Sequence, residues 1–495
     1  MKNITKFLIM MIAIGLVTSC SDDFLEKEPT QFISAQRMGD VSEYNPDIFN
    51  GQVAGLYTLM YNTGTGGTTG HDDFGQKGYD IYTDMISGDM VLAGYNYGWY
   101  SDVAKYVVTQ DNTYTDNYQP WRYYYRIIFA ANNIIRGLGG NDAAPEQELQ
   151  QHQLGQAKAM RAYSYMYLMY LYNEEVDDLA APAIPLYTDP DEQSLPKSTG
   201  QEVWNLIQED LESAVTLLDG FVPNGKQAVS QDVAKGLLAY AYVTVGKNSL
   251  AVDMADDLIA KYSVVPISSV AGGASIPRNA FSYIDGEGAD WIWGMDLTLD
   301  QGLDLISWWG QVGLFTYSYT WVGDAKTMDA GLYASIRPTD TRKGQFIDPW
   351  GEGIYRPLNK FYHEARTIGQ QREITADYVY MRVEEMHLIK AEALYNASQE
   401  IDARNALEVL VSERDTDPTY LTSLSGEALK DEIYKQWRVE MWGEGRAYLA
   451  LKRFEETVLR QGHIDYNGIP IPYNDTRLTF EIPYQEIQDN VNITE

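Results

Sequence analysis

The sequence predicts a mainly α-helical fold: a tetratricopeptide-like solenoid of antiparallel helix pairs, carrying an irregular, loop-rich and aromatic ligand-binding region. Three observations lead there. Apolar residues recur at helical spacing from residue 121 to about 262, in segments separated by short polar loops. Composition shifts at Val264, and residues 264–360 hold many glycines, few helical stripes and six of the 11 tryptophans. Helical patterning then returns at 377–396, 402–411 and 427–460.

The chain opens with Lys2 and Lys6, an apolar run over 7–17 and small residues before Cys20, its single cysteine. That is the pattern of a secretory signal over 1–19, and the run is too short to span a bilayer, which takes about 20 residues. A signal ending in small residues and then cysteine resembles the bacterial lipoprotein signal, which implies lipidation of Cys20. Residues 20–46 are polar, carry Pro29 and Pro46, and read as a lipidated tether. No disulfide is possible, since Cys20 has no partner.

Residues 48–61 carry Val53, Leu56, Tyr57 and Met60 at helical spacing. The following loop, 63–70, is glycine-rich but fits neither phosphate-binding fingerprint. Residues 88–100 crowd Tyr95, Tyr97, Trp99 and Tyr100 among glycines, which pack little against rings and leave them exposed. A helix is expected over 121–138, closed by Gly139-Gly140, and a longer one from Pro145 to Tyr172. The second half of the longer helix is apolar nearly all round and should be covered on several sides. Thr199 with Glu202 forms a capping box before 203–218. Ser230 can cap 233–245, and Ser249 can start 251–262. Residues 291–295 alternate like a strand and make Trp291 and Trp293 core residues, while Trp121, Trp204, Trp437 and Trp442 lie in helical stripes.

The formal charge is −33, from 37 basic and 70 acidic residues. That excludes nucleic acid, whose phosphates demand basic patches, and docking to anionic lipid by charge. The 38 tyrosines and 11 tryptophans favour surfaces that meet partly apolar, hydroxylated partners. Sugar rings are such partners, since their C–H faces stack on Trp and Tyr. The candidate ligand contacts are Tyr95, Trp99, Trp308, Trp309, Tyr319 and Trp321. Trp308 and Trp309 are adjacent and cannot both point inward from a regular element, and an exposed apolar platform marks a binding site.

Signals for catalysis are poor. The five histidines are scattered, and His363-Glu364 lacks the second histidine of a zinc-protease helix. Glu384-x-x-His387 has di-iron spacing but occurs once. Gly220 to Lys226 lacks the Ser/Thr of a phosphate loop and reads as a helix-ending turn. The paired acids at 72–73, 177–178 and 455–456 read as solvated. No nucleophile elbow occurs.

Five stretches, in order, carry a family resemblance. Cys20 is followed by Ser21-Asp22-Asp23-Phe24-Leu25-Glu26 and Pro29. Ala159-Met160-Arg161-Ala162-Tyr163 leads to Leu171-Tyr172 and Ala183-Ile184-Pro185-Leu186. Residues 380–395 and 433–454 follow as two helices, the second holding Arg438-Val439-Glu440 and Glu444-Gly445-Arg446. Ile482-Pro483-Tyr484-Gln485-Glu486-Ile487 closes the set. The chain resembles the SusD/RagB family of Bacteroidetes outer-membrane nutrient-binding lipoproteins, departing from it at Gln436-Trp437-Arg438 and Ala450.

The resemblance implies a SusD-like N-terminal helical region over 47–263 and a C-terminal region over 264–495 with the loop-rich insert 264–376. It implies a cell-surface receptor that takes up oligosaccharides without turning them over and delivers them to a SusC-like TonB-dependent transporter, sitting as a lid on its barrel. The acidic stretch after Cys20 resembles the signal for export to the outer face. No cofactor is expected beyond calcium that could order loops. A peptide receptor of the RagB kind, a glycoside hydrolase and a pure scaffold are the other readings.

Overall fold

The computed structural model describes residues 46–369 and 371–493. The expected signal peptide, Cys20 and the tether up to residue 45 lie outside the described residues.

Helices of eight residues or more supply the frame. They are α1 (Asn50–Leu59), α2 (Gln76–Ile86), α3 (Thr115–Gly137), α4 (Glu148–Tyr172), α5 (Gly200–Leu217), α6 (Gln231–Thr244) and α7 (Asn248–Ile259). After a long irregular stretch come α8 (Val383–Asn396), α9 (Glu400–Ser412), α10 (Glu427–Glu440) and α11 (Ala447–Phe454). The strands form four antiparallel pairs: β1 (Met90–Leu92) with β5 (Lys326–Met328), β2 (Pro182–Pro185) with β3 (Lys197–Thr199), β4 (Trp291–Met295) with β6 (Tyr378–Arg382), and β7 (Val458–Leu459) with β8 (Pro470–Ile471).

Consecutive helices pack on one another from α3 through α9, with α7 meeting α8 across the irregular stretch, so the helix-pair solenoid continues from α3 to α9. Every residue of α4 from His152 to Tyr172 is buried, as its all-round apolar sequence requires. Local signals do their expected work. Thr199 Oγ1 accepts from Glu202 N at 3.3 Å while Glu202 Oε2 accepts from Thr199 N at 2.8 Å, and Ser230 Oγ accepts from Val233 N. Other boundaries move. The first long helix starts at Thr115 rather than 121, with Pro120 inside it, and α4 starts three residues after Pro145. Ser249 lies inside α7, which begins at Asn248.

Two expected helices are broken, each for a visible reason. The 377–396 stretch begins as strand β6, because Tyr-Val-Tyr-Met pairs with the tryptophan strand β4. The 427–460 stretch divides at Gly443 and Gly445, both in left-handed conformation at φ 80° and 74°. A side chain at Gly443 would press on Phe361, and one at Gly445 on Asp80. The turn they make aims Glu444 into a buried ion cluster. Arg382 bonds Glu440 at 3.0 Å and Glu444 at 2.8 Å, Arg414 bonds Glu440 at 2.8 Å and Glu384 at 3.0 Å, Arg342 reaches Glu440 at 3.1 Å, and Lys360 reaches Glu444 at 3.0 Å. Glu384, of the Glu-x-x-His pattern, is therefore structural. Among the described residues no helix is long and apolar enough to cross a membrane.

Candidate ligand-binding site

The site is assembled by the short pair β1–β5, whose register sets Leu92 opposite Lys326 and continues with Ala93 N donating to Ala325 O at 2.8 Å. Beyond that bond the strands open into two aromatic loops, 94–100 and 317–325. Asp324, fully buried, staples one loop to the other. Its Oδ1 accepts from Asn96 N at 2.6 Å, and its Oδ2 accepts from Tyr97 N at 2.8 Å and Gly98 N at 3.2 Å. Asn96 Nδ2 donates back to Val322 O at 2.8 Å. Three amides on one carboxylate is an arrangement that fixes a loop, since charge-assisted bonds are about twice as strong as neutral ones.

On this support the rings converge. Trp99 stacks on His71 with centroids 5.0 Å apart and planes within 2°. Tyr319 meets His71, Trp99 and Tyr97 edge-on, at 5.9, 6.3 and 5.3 Å, and its hydroxyl lies 2.6 Å from His71 Nδ1. Burial lowers the His71 pKa, which keeps the imidazole neutral near pH 7. Tyr97 is 63 % exposed and Trp321 45 % exposed. Trp321 leans on the backbone at Gly369, where φ is +64° and a Cβ would collide with the indole. Tyr317 lies 6.0 Å from Trp321 and carries the Arg372 guanidinium 4.2 Å above its ring.

Beneath the rings Gln311 holds the loop that carries His71. It donates to His71 O at 2.7 Å and accepts from the buried Lys326 Nζ at 2.7 Å. Burial brings the Lys326 amine down to about 7, with Asp324 and Asp72 opposing.

The described chain matches two family models. Residues 315–494 match the one described as the SusD family, and residues 67–243 match the one described as starch-binding associating with outer membrane. The chain belongs to the SusD/RagB family. A SusD-like protein of Formosa agariphila is 28% identical over 183 residues, a match that spans 37% of this chain and 31% of that protein. Among solved structures, a SusD-like carbohydrate binding protein of Bacteroides vulgatus superposes with TM-score 0.73 at 23% identity, covering 93% of this chain and 98% of that one. A SusD superfamily protein of Bacteroides thetaiotaomicron gives TM-score 0.74 at 21% identity, covering 90% and 98%. The helical SusD-like fold is thus common to all three structures.

Within this SusD-family fold the structure brings Trp99 and Tyr319 into one cluster, with Trp321 two residues further along. Tyr95 is engaged elsewhere: its hydroxyl bonds Asp465 at 2.6 Å and Lys105 lies over its ring. Trp308 and Trp309 correct the sequence reading. They are 2 % and 1 % exposed, and the five-residue helix Trp308–Val312 that carries them is buried throughout. Adjacent rings must diverge, but this helix is enclosed on every side, so both directions lead into core. Trp308 packs edge-on against Phe361 at 4.7 Å and under Lys77.

Sequence reasoning missed His71, Tyr97 and Asp324 as members of the site. His71 and Tyr319 are 248 positions apart, and no local pattern joins them. Asp72-Asp73 also departs from the solvated reading: both are buried, and Asp73 accepts from Gly66 N, Thr68 N and Thr68 Oγ1. Glu427, Asp431 and Glu456 are the one group of acids among the described residues placed to share an ion, and Lys430 already stands 3.5 Å from Glu427 and Glu456.

Proposed function

We propose that this protein captures oligosaccharides on the His71–Trp99–Tyr319 cluster, with Tyr97 and Trp321 as its open faces, and releases them unaltered. The observation that carries the reading is the Asp324 staple, which holds two partly exposed aromatic loops in one place. Exposing Tyr97 and Trp321 costs apolar surface that a folded chain would otherwise bury, unless a ligand covers it. Flat C–H faces of a sugar suit such rings, while neutral His71, whose Nε2 makes no bond among the described residues, offers a donor or acceptor to a hydroxyl. The starch-binding description of one matching family and the name of one structural neighbour, a carbohydrate binding protein, support the same ligand class.

Non-catalytic binding fits the two acids that fasten the loops. Asp73 spends both carboxylate oxygens on the 66–68 loop, and Asp324 spends both on the 96–98 loop. Delivery to a SusC-like TonB-dependent transporter, and attachment to the outer membrane through a lipid on Cys20, belong to this proposal and rest on the family likeness and the signal sequence. Cys20→Ala is expected to move the protein from the membrane to the soluble fraction; a product still bound to membranes would refute the anchor.

Electrophoresis through gels containing amylose, xylan, laminarin, pectin or alginate tests the central reading. At least one polysaccharide should retard the protein, with no new reducing ends after incubation. Release of reducing ends would favour a glycosidase, and retention by none of them would sink the reading.

A further inference from the structure

A groove of about 570 Å³ runs along α3, on the side where the 187–194 segment and the C-terminal turn approach it. Tyr118, Arg122, Tyr125 and Phe129 face it at intervals of four, three and four residues, so they form one stripe of the helix. Tyr187 and Asn490 stand opposite. Phe129 is 57 % exposed, and exposed Arg122 makes no hydrogen bond or ion pair among the described residues. Rings with hydrogen-bonding groups beside them repeat the chemistry of the Trp99 cluster.

The glycine-rich loop 63–70 links the two places. At one end Arg126 donates to Thr65 O at 2.7 Å, and Gly67 lies so near Arg122 that a Cβ would collide with its guanidinium. At the other end a Cβ on Gly70 would stand 3.5 Å from the Trp99 ring. Three Cα steps separate Gly67 from Gly70, at most about 11 Å of chain. Buried Asp73 clamps the loop through Gly66 N at 2.7 Å and Thr68 N at 2.9 Å. Gly66, Gly67 and Gly70 keep the loop low between the rings and the groove, Thr68 turns its hydroxyl to Asp73, and Thr69 is the exposed side chain on the way.

We propose that the α3 groove is a second set of subsites for the same glycan chain, continuing the Trp99 cluster across the clamped loop, so that the protein selects long oligosaccharides over short ones. This rests on the glycan reading above. The test uses a trisaccharide and an octasaccharide prepared from whichever gel polysaccharide retards the protein, titrated calorimetrically into wild type, Trp99→Ala and the double variant Arg122→Ala with Phe129→Ala. Wild type should bind the octasaccharide at least about tenfold more tightly than the trisaccharide. The double variant should keep the trisaccharide affinity and the melting temperature but lose most of that ratio. Sliding of a short site along a longer chain also favours the octasaccharide, but the double variant would not touch that gain. An unchanged ratio in the double variant, or equal affinities in wild type, would overturn the second set of subsites. Trisaccharide binding that survives Trp99→Ala would instead overturn the ring-cluster reading, and absence of any retarding polysaccharide would overturn both.

Discussion

Trp308 and Trp309 show how far a residue's role depends on its wall. Both indole nitrogens are buried without a hydrogen-bond partner, and both rings lie beside Phe361 and the start of β6 at Tyr378 and Val379. Trp309→Ala would leave a cavity that enclosed surroundings cannot close, and such truncations cost about 3–5 kcal/mol. A chemical-denaturation curve should show a midpoint shift of that size with little change in slope; a loss below about 1 kcal/mol would mean that the ring is not core. At this scale the sequence was informative where a residue's neighbours are local. Trp291 and Trp293 alternate on a strand, and both are buried in β4. Sequence reading failed where the enclosing atoms come from far along the chain, as they do for Trp308, whose amide bonds the Tyr378 hydroxyl 70 residues away.

The element that matters most for the site is the three-residue pair β1–β5 with the Asp324 staple beyond it. Neither strand is long enough to announce itself by alternation, and the carboxylate that fastens the loops sits 226 to 228 positions from its amides. By contrast the helices α3 to α7 were legible because caps and stripes lie within a turn or two of each other. The break at Gly443 and Gly445 carries a stop signal in its two left-handed glycines, but the ion cluster into which they turn Glu444 is built from residues far along the chain. Asp324→Ala removes the acceptor of three amides while leaving the strand register intact. Amide hydrogen exchange at residues 96–98 should accelerate by an order of magnitude or more, and glycan retardation should weaken, with the solenoid helices unaffected. Unchanged protection at 96–98 would show that the loop holds itself.

Across the whole molecule the cations are concentrated inward. Arg161, Arg342, Arg382, Arg414, Arg446 and Arg453 bury their side chains in ion pairs with Asp210, Glu440, Glu444, Glu385 and Glu392, so these cations and the acids that match them are withdrawn from the surface together. The buried carboxyls fall into two groups that pull stability in opposite directions. Burial would raise Glu444, but Arg382 and Lys360 outweigh it and hold the group at about 2, so its contribution is complete above about 4.5 and fades as pH falls toward 2. Burial lifts Asp72 to about 6 and Asp116 and Asp377 to about 7, so what they contribute is complete below about 3.8 and is lost as pH rises from there to 7. The melting temperature should therefore peak near about pH 4 and decline on both sides. A melting temperature that climbs steadily from pH 5 to 8 would contradict this assignment.

The measurement that bears most directly on the account is retardation of Trp99→Ala and Trp321→Ala on the polysaccharide gel that holds the wild-type protein. Each variant should migrate as if the glycan were absent, losing about tenfold or more in affinity, while its melting temperature stays within about 2 °C of wild type. Variants that are each held as firmly as the wild-type protein would show that these loops do not grip the sugar.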